Sequence, residues 1–113
     1  MIKIYHNPRC RKSREGLAIL ENSGNSFEIV RYLDEPLNAK ELSDLLQALD
    51  IPAEQLVRKN EAIWKSDFKG KSLSEKEVIN AMVAHPKLIE RPIVVKDGRA
   101  VIGRPAEKIH EIL

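Results

Sequence analysis

The sequence predicts an α/β fold: a mixed four-stranded sheet with flanking helices and a helical insertion in the middle of the chain. Three observations carry that expectation. Ile2-Lys3-Ile4-Tyr5 and Phe27–Tyr32 read as strands, and about a dozen residues of helical pattern lie between them, the spacing of a parallel βαβ unit. Near the other end, Ile93–Lys96 and Arg99–Ile102 flank Asp97-Gly98, a dipeptide that favours a two-residue hairpin turn. Between these two pieces, about residues 38–86, the pattern is helical.

Taken in order, Ile2–Tyr5 alternates apolar and polar residues, as a strand with one buried face does. Asn7-Pro8 ends it, because proline cannot donate to a ladder and restricts the residue before it. A helix is expected from about Arg11 to Asn22, with Leu17 and Leu20 inward and Gly24 as its stop. Phe27–Tyr32 then returns as the strand parallel to the first, by a right-handed crossover. Asn38 with Glu41, and Ser74 with Glu77, are capping-box pairs that open two further helices. Leu42, Leu45, Leu46 and Leu49 form the apolar stripe of the first of these; Val78, Ile79, Met82 and Val83 form that of the second, which His85-Pro86 ends. Pro52 is expected to close the earlier helix and open a short one through Leu56-Val57. Arg58–Lys71 is polar, with Trp64 and Phe68 its only large anchors. After the hairpin, Gly103-Arg104-Pro105 leads into a terminal helix with Pro105 at its first turn and Ile109, Ile112 and Leu113 inside. A parallel pair and a hairpin sharing one sheet, with helices packed on it, is a thioredoxin-like plan.

At 113 residues this is read as one domain, 1–113, large enough for a single core. The net charge of +2 is too small to argue for nucleic acid, so the local clustering of charge matters more than its sum. A single cysteine cannot form an internal disulfide, which fits a reducing compartment. Met1-Ile2-Lys3 runs straight into a strand pattern, so no export signal is expected. No apolar run approaches the roughly 20 residues that span a bilayer. A cytoplasmic, soluble protein is the expectation.

The chemistry points to Cys10. It sits where the first strand hands over to the first helix, and residues 9–14 carry four basic side chains and no acid. A helix N-terminus presents free N–H groups and a positive dipole end, and the flanking cations are expected to act in the same direction. Both favour thiolate over thiol and would also attract an oxyanion. A lone cysteine can equally be a small buried hydrophobe; the flanking charges and the strand-to-helix position favour the reactive thiol. Cys10 with Ser13 is a C-x-x-S arrangement, so any redox cycle must take its second sulfur from another molecule such as glutathione or a glutaredoxin.

Arg58, Arg91 and Arg104 lie at breaks between elements, the last two each before a proline. Guanidinium forks match tetrahedral oxyanions, although most arginines are solvated surface charges. A cis bond at Arg91-Pro92 would shape a tight turn. His6, four residues before Cys10, either assists ionisation of the thiol or makes a local loop hydrogen bond. The three histidines lack metal-ligand spacing, so no metal is expected. A cysteine-phosphatase loop needs arginine six positions after its nucleophile, and that position is Gly16. Trp64 is too isolated to form a base-stacking surface.

Together these residues resemble the glutaredoxin-coupled arsenate reductases. Tyr5-His6-Asn7-Pro8 with Cys10, Ser13 and Arg14 is similar to their opening motif, and Arg58-Lys59-Asn60-Glu61 to their central one. His85-Pro86, Arg91-Pro92-Ile93-Val94-Val95 and Gly103-Arg104-Pro105 resemble their C-terminal signature, all in the same order. The resemblance implies a thioredoxin-like fold, Cys10 as nucleophile, and Arg58, Arg91 and Arg104 as groups that bind the oxyanion and stabilise the thiolate. His6 and Ser13 fall on active-site-loop positions. The implied substrate is arsenate, glutathione is the external thiol, glutaredoxin is the protein partner, and the enzyme is a monomer with no bound cofactor. Arg11-Lys12 departs from the small or neutral residues typical after the cysteine. Two alternatives stay open: a glutathione-dependent thiol reductase with another substrate, and a polymerase-binding regulator of the Spx type, whose usual C-x-x-C switch Ser13 removes.

Overall fold

A computed structural model describes all 113 residues, 1–113. They divide into two compact units, one made of Met1–Glu35 with Arg91–Leu113, the other of Pro36–Glu90.

The first unit contains the sheet. Strands β1 (Ile2–Tyr5), β2 (Phe27–Val30), β3 (Ile93–Lys96) and β4 (Arg99–Ile102) lie in the order β2-β1-β3-β4. β1 and β2 are parallel, joined by helix α1 (Arg11–Asn22), whereas β3 is antiparallel to both β1 and β4. This is the expected thioredoxin-like sheet. The hairpin turns at Asp97 and Gly98, both at positive φ (51° and 79°), the geometry whose twist matches that of the flanking strands. Ile2 and Ile4 share a face with Val94, and Leu20 of α1 packs there with Ile109 and Ile112; all six are buried, with Leu17 half-buried beside them. The periodicity of α1 and the alternation of β1 therefore meet in one core.

Two element assignments in this unit differ from expectation. β2 stops at Val30, because the Arg31 carbonyl accepts from the amides of Asp34 and Glu35 and turns the chain; Tyr32 is buried within that turn. The terminal helix is a 3-10 helix, Ala106–Glu111, entered through Pro105 as its N-cap rather than as its first turn. Both the Arg91-Pro92 and Arg104-Pro105 bonds are cis.

The second unit is helical. Helices α2 (Ala39–Leu49) and α4 (Glu75–Ala84) both open with the predicted capping boxes: Asn38 with Glu41, and Ser74 with Glu77. In each box the side chain of one residue accepts the backbone N–H of the other, so two orphan donors are satisfied reciprocally. Leu42, Leu45 and Leu46 of α2, and Val78, Ala81 and Met82 of α4, are buried. α2 ends not at Pro52 but at Asp50, whose left-handed backbone (φ 56°, ψ 45°) turns its N–H back onto Gln47 and Leu46. Pro52 instead caps a 3-10 turn, Ala53–Leu56. The polar stretch after Arg58 holds a helix the sequence did not announce, α3 (Ala62–Asp67), anchored by Trp64 stacked on Phe68 at 5.4 Å. His85 ends α4, and a 3-10 turn follows at Pro86–Leu88. Val57 and Ile89 form an antiparallel bridge flanked by Arg58 N–H to Leu88 O (2.7 Å) and Glu90 N–H to Leu56 O (2.9 Å). No helix is long and apolar enough to cross a membrane.

Candidate active site

Sheet register gathers the candidate residues of the first unit at one end. Tyr5 closes β1 opposite Ile93, which opens β3, and Ile93 pairs with Ile102, which closes β4. The residues just beyond are therefore His6–Cys10, Arg91-Pro92 and Gly103-Arg104. Two backbone bonds extend the order past the strands: His6 N–H to Val30 O (2.9 Å) and Gly103 N–H to Pro92 O (2.8 Å). Pro92 is buried, and a Cβ placed on Gly103 would stand 3.1 Å from Pro92 Cγ and 3.0 Å from Ile109 Cδ1, so the bare backbone lets this loop close up.

The loop before α1 is built from its own side chains. Asn7 Oδ1 accepts the Arg9 N–H (3.0 Å), and the Cys10 N–H bonds Asn7 O (3.0 Å), which makes a tight turn around Pro8. Arg14 reaches back to donate to Pro8 O (3.0 Å). Ser13 is fully buried; its Oγ accepts the Asn7 N–H (2.9 Å) and lies 2.7 Å from Nδ1 of the buried His6. Of the two readings left open for His6, the local hydrogen bond is the one seen. Burial, with the charges of Arg31 and Arg14, keeps its imidazole below the usual histidine range, although the contact with Ser13 and the charge of Glu21 act the other way. Asn7 and Arg14 as loop clamps were missed as roles; an Asn-Pro step opening a turn was the available signal.

Cys10 is the N-cap of α1, half-buried, with extended backbone (φ −96°, ψ 125°). Arg91 Nε donates to Cys10 Sγ at 3.1 Å, bridging 81 positions of sequence. Burial opposes ionisation of the thiol, but the Ser13 backbone N–H, the charge and hydrogen bond of Arg91, and the Lys12 backbone N–H outweigh it and hold the thiol below its ordinary value. The sulfur makes no capping hydrogen bond of ordinary geometry, so these amides act through their field more than through a formed bond. Among side chains, the one whose charge and hydrogen bond lower the thiol is Arg91; Arg11 and Lys12 turn to Glu15 (3.3 and 3.9 Å), and Arg14 donates to the Pro8 carbonyl. The side chain that matters arrives from the far end of the chain.

Arg104 follows β4 at the same sheet end as Arg91, its Nη1 closed off from solvent. Arg58 belongs to the helical unit, where Glu61 holds its guanidinium at 3.4 Å and Nη1 donates to Lys87 O at 3.3 Å. His6, Cys10, Ser13, Arg91 and Arg104 thus lie in the sheet unit, with direct contacts joining His6 to Ser13 and Cys10 to Arg91.

Known proteins are similar to this chain along nearly its whole length. The ArsC family model matches residues 5–112. An uncharacterised Escherichia coli protein, YfgD, is 50% identical over 99% of this chain and 96% of its own length. An arsenate reductase of Neisseria meningitidis is 40% identical over 99% of this chain and 97% of its own. Among solved structures, an arsenate reductase from Vibrio cholerae superposes with a TM-score of 0.96 at 46% identity, covering 99% of this chain and 97% of that one. A single cysteine at a helix N-terminus, its sulfur met by an arginine that precedes the sheet's far hairpin, stands in a chain that belongs to the ArsC family.

Proposed function

We propose that the protein is an arsenate reductase whose nucleophile is the Cys10 thiolate. The reading is supported above all by the 3.1 Å contact from Arg91 Nε to Cys10 Sγ, and by relatives that carry that name. In the first step the thiolate attacks arsenic(V) and displaces one oxygen, which leaves as water. Glutathione then replaces a second oxygen, again releasing water. A glutaredoxin thiolate attacks the glutathione sulfur; the arsenic–sulfur bonding pair falls back onto arsenic, giving arsenic(III) and a glutaredoxin–glutathione mixed disulfide. Water cleaves the remaining bond to Cys10, and arsenite leaves. Two thiols supply two electrons, so no bound cofactor is required.

Arg91 and Arg104 are assigned to the oxyanion as charge builds on its oxygens, with Arg91 also holding the thiolate. Arg58 is assigned the same task by family resemblance. His6 and Ser13 hold the loop that aims the helix amides at the sulfur. The protein works as a monomer in the cytoplasm, where thiols stay reduced. The solvent-facing Arg11 and Lys12 favour one second reading, a glutathione-dependent reductase using the same sulfur on another substrate.

The test is arsenite production from arsenate by purified protein supplied with glutathione and glutaredoxin. Arsenite is expected from the wild type and none from Cys10→Ser. A wild type that forms no arsenite with both thiols present overturns the arsenate assignment.

A further inference from the structure

The start of α1 carries more positive charge than the sulfur uses. Arg9, Arg11, Lys12 and Arg14 are all exposed, and Arg14 alone is committed to the loop backbone. Arg11, with 83% of its side chain exposed, and Lys12, with 50%, share the single carboxylate of Glu15. Three cations and one anion therefore face solvent within a few residues of Cys10. Exposed pairs of this kind contribute little to stability. Their field nevertheless acts on any charged molecule approaching within about 10 Å at ordinary salt.

From this surplus we infer that Arg9, Arg11 and Lys12 form a cationic collar that receives the carboxylates of a small anionic thiol or disulfide of the glutathione type, making Cys10 selective for anionic sulfur partners. The inference rests on the reading of Cys10 as a reactive thiol. Lysine and arginine on flexible stems suit mobile carboxylates, whereas the sulfur itself is served by the more enclosed Arg91. The collar thus belongs to the co-substrate, and Arg91 to the nucleophile.

Thiol–disulfide exchange tests it without arsenic. The Cys10 thiolate attacks one sulfur of a disulfide, the S–S bond breaks, a mixed disulfide forms on Cys10, and the other half leaves as thiolate. Rates are measured by mass spectrometry for three probes: oxidised glutathione (anionic), bis(2-hydroxyethyl) disulfide (neutral) and cystamine (cationic). In the wild type at low salt, oxidised glutathione is expected to lead cystamine. In the Arg11→Gln/Lys12→Gln variant the anionic-to-neutral rate ratio falls roughly threefold to tenfold, the scale of two exposed ion pairs. Added salt lowers the wild-type ratio in the same way. Glu15→Gln, which removes the competing carboxylate, raises it. An unchanged ratio in both variants overturns the collar while leaving the thiol intact. If even the neutral disulfide fails to modify Cys10, the reactive-thiol reading falls and the collar falls with it.

Discussion

Two arginines in the two units show how differently one side chain type can be used. Arg91 crosses from the start of β3 to the sulfur of Cys10, a neutral thiol or a thiolate according to what Arg91 itself stabilises. Arg58 sits on the short bridge of the helical unit, about three-quarters buried, with Glu61 and the Lys87 carbonyl already taking its donors. A guanidinium beside a titratable sulfur changes which protonation state prevails. One beside a carboxylate mainly closes a local ion pair. Position next to a motif does not distinguish the two; the partner does.

Replacing each arginine by alanine puts the difference to its sharpest test. Arg91→Ala removes the charge and the donor that favour the thiolate, so the inflection of Cys10 alkylation with pH is expected to move upward, toward that of an ordinary cysteine. Arsenite formation should fall by about a hundredfold, the usual cost of losing one donor to a developing anion. Arg58→Ala should leave the alkylation inflection in place. An inflection that shifts as far in Arg58→Ala as in Arg91→Ala would erase the distinction. The sign follows from linkage: a thiol lowered on folding adds stability that is fully present above its unfolded pKa and is lost as pH falls through the folded value.

The capping boxes sharpen the same contrast from the other side. Ser74→Ala or Asn38→Ala removes the acceptor for one N–H at the start of α4 or α2, at a cost of about 1 kcal/mol each. Chemical denaturation should register that loss, while the pH at which Cys10 alkylation inflects stays fixed. A capping variant that moved the thiol's inflection would mean that the two units share more than this division of labour allows.

These helices were legible because their signals are local. A capping box spans four residues, and a leucine stripe repeats within one helix, so Asn38–Leu49 and Ser74–Val83 could be read directly. The hairpin was equally plain from Asp97-Gly98. Helix α3 was not, since its sequence presents little apolar periodicity and its anchor is one stacked pair, Trp64 on Phe68. Nor could the end of β2 be found at Val30, because Arg31-Tyr32 continue the strand pattern while their backbone turns. At the site, Cys10 was visible from its place before a helix. The identity of its activating partner was not: the nearby cations looked sufficient, and only the register of β1 against β3 brings Arg91 across 81 positions to the sulfur. Family resemblance supplied Arg91 where residue spacing could not.

The smallest effect expected is on the pH dependence of stability, and it belongs to His6. This imidazole is buried against Ser13 with Arg31 and Arg14 nearby, and its pKa lies below the usual value on folding. The folded protein therefore binds fewer protons at His6 than the unfolded chain does around pH 6.5, the ordinary histidine value. Stability from this source is present above that pH and is lost as pH falls toward and through the folded pKa. Between about pH 7 and 5, before most carboxylates titrate, the wild type should lose stability in urea melts. His6→Gln retains a polar group beside Ser13 Oγ but has no proton to gain, so its stability should be flatter across the same window, even if lower at pH 7. Equal slopes in the two proteins would show that His6 is not the residue resisting protonation. The loop that aims the α1 amides at Cys10 would then owe its acid sensitivity to some other group.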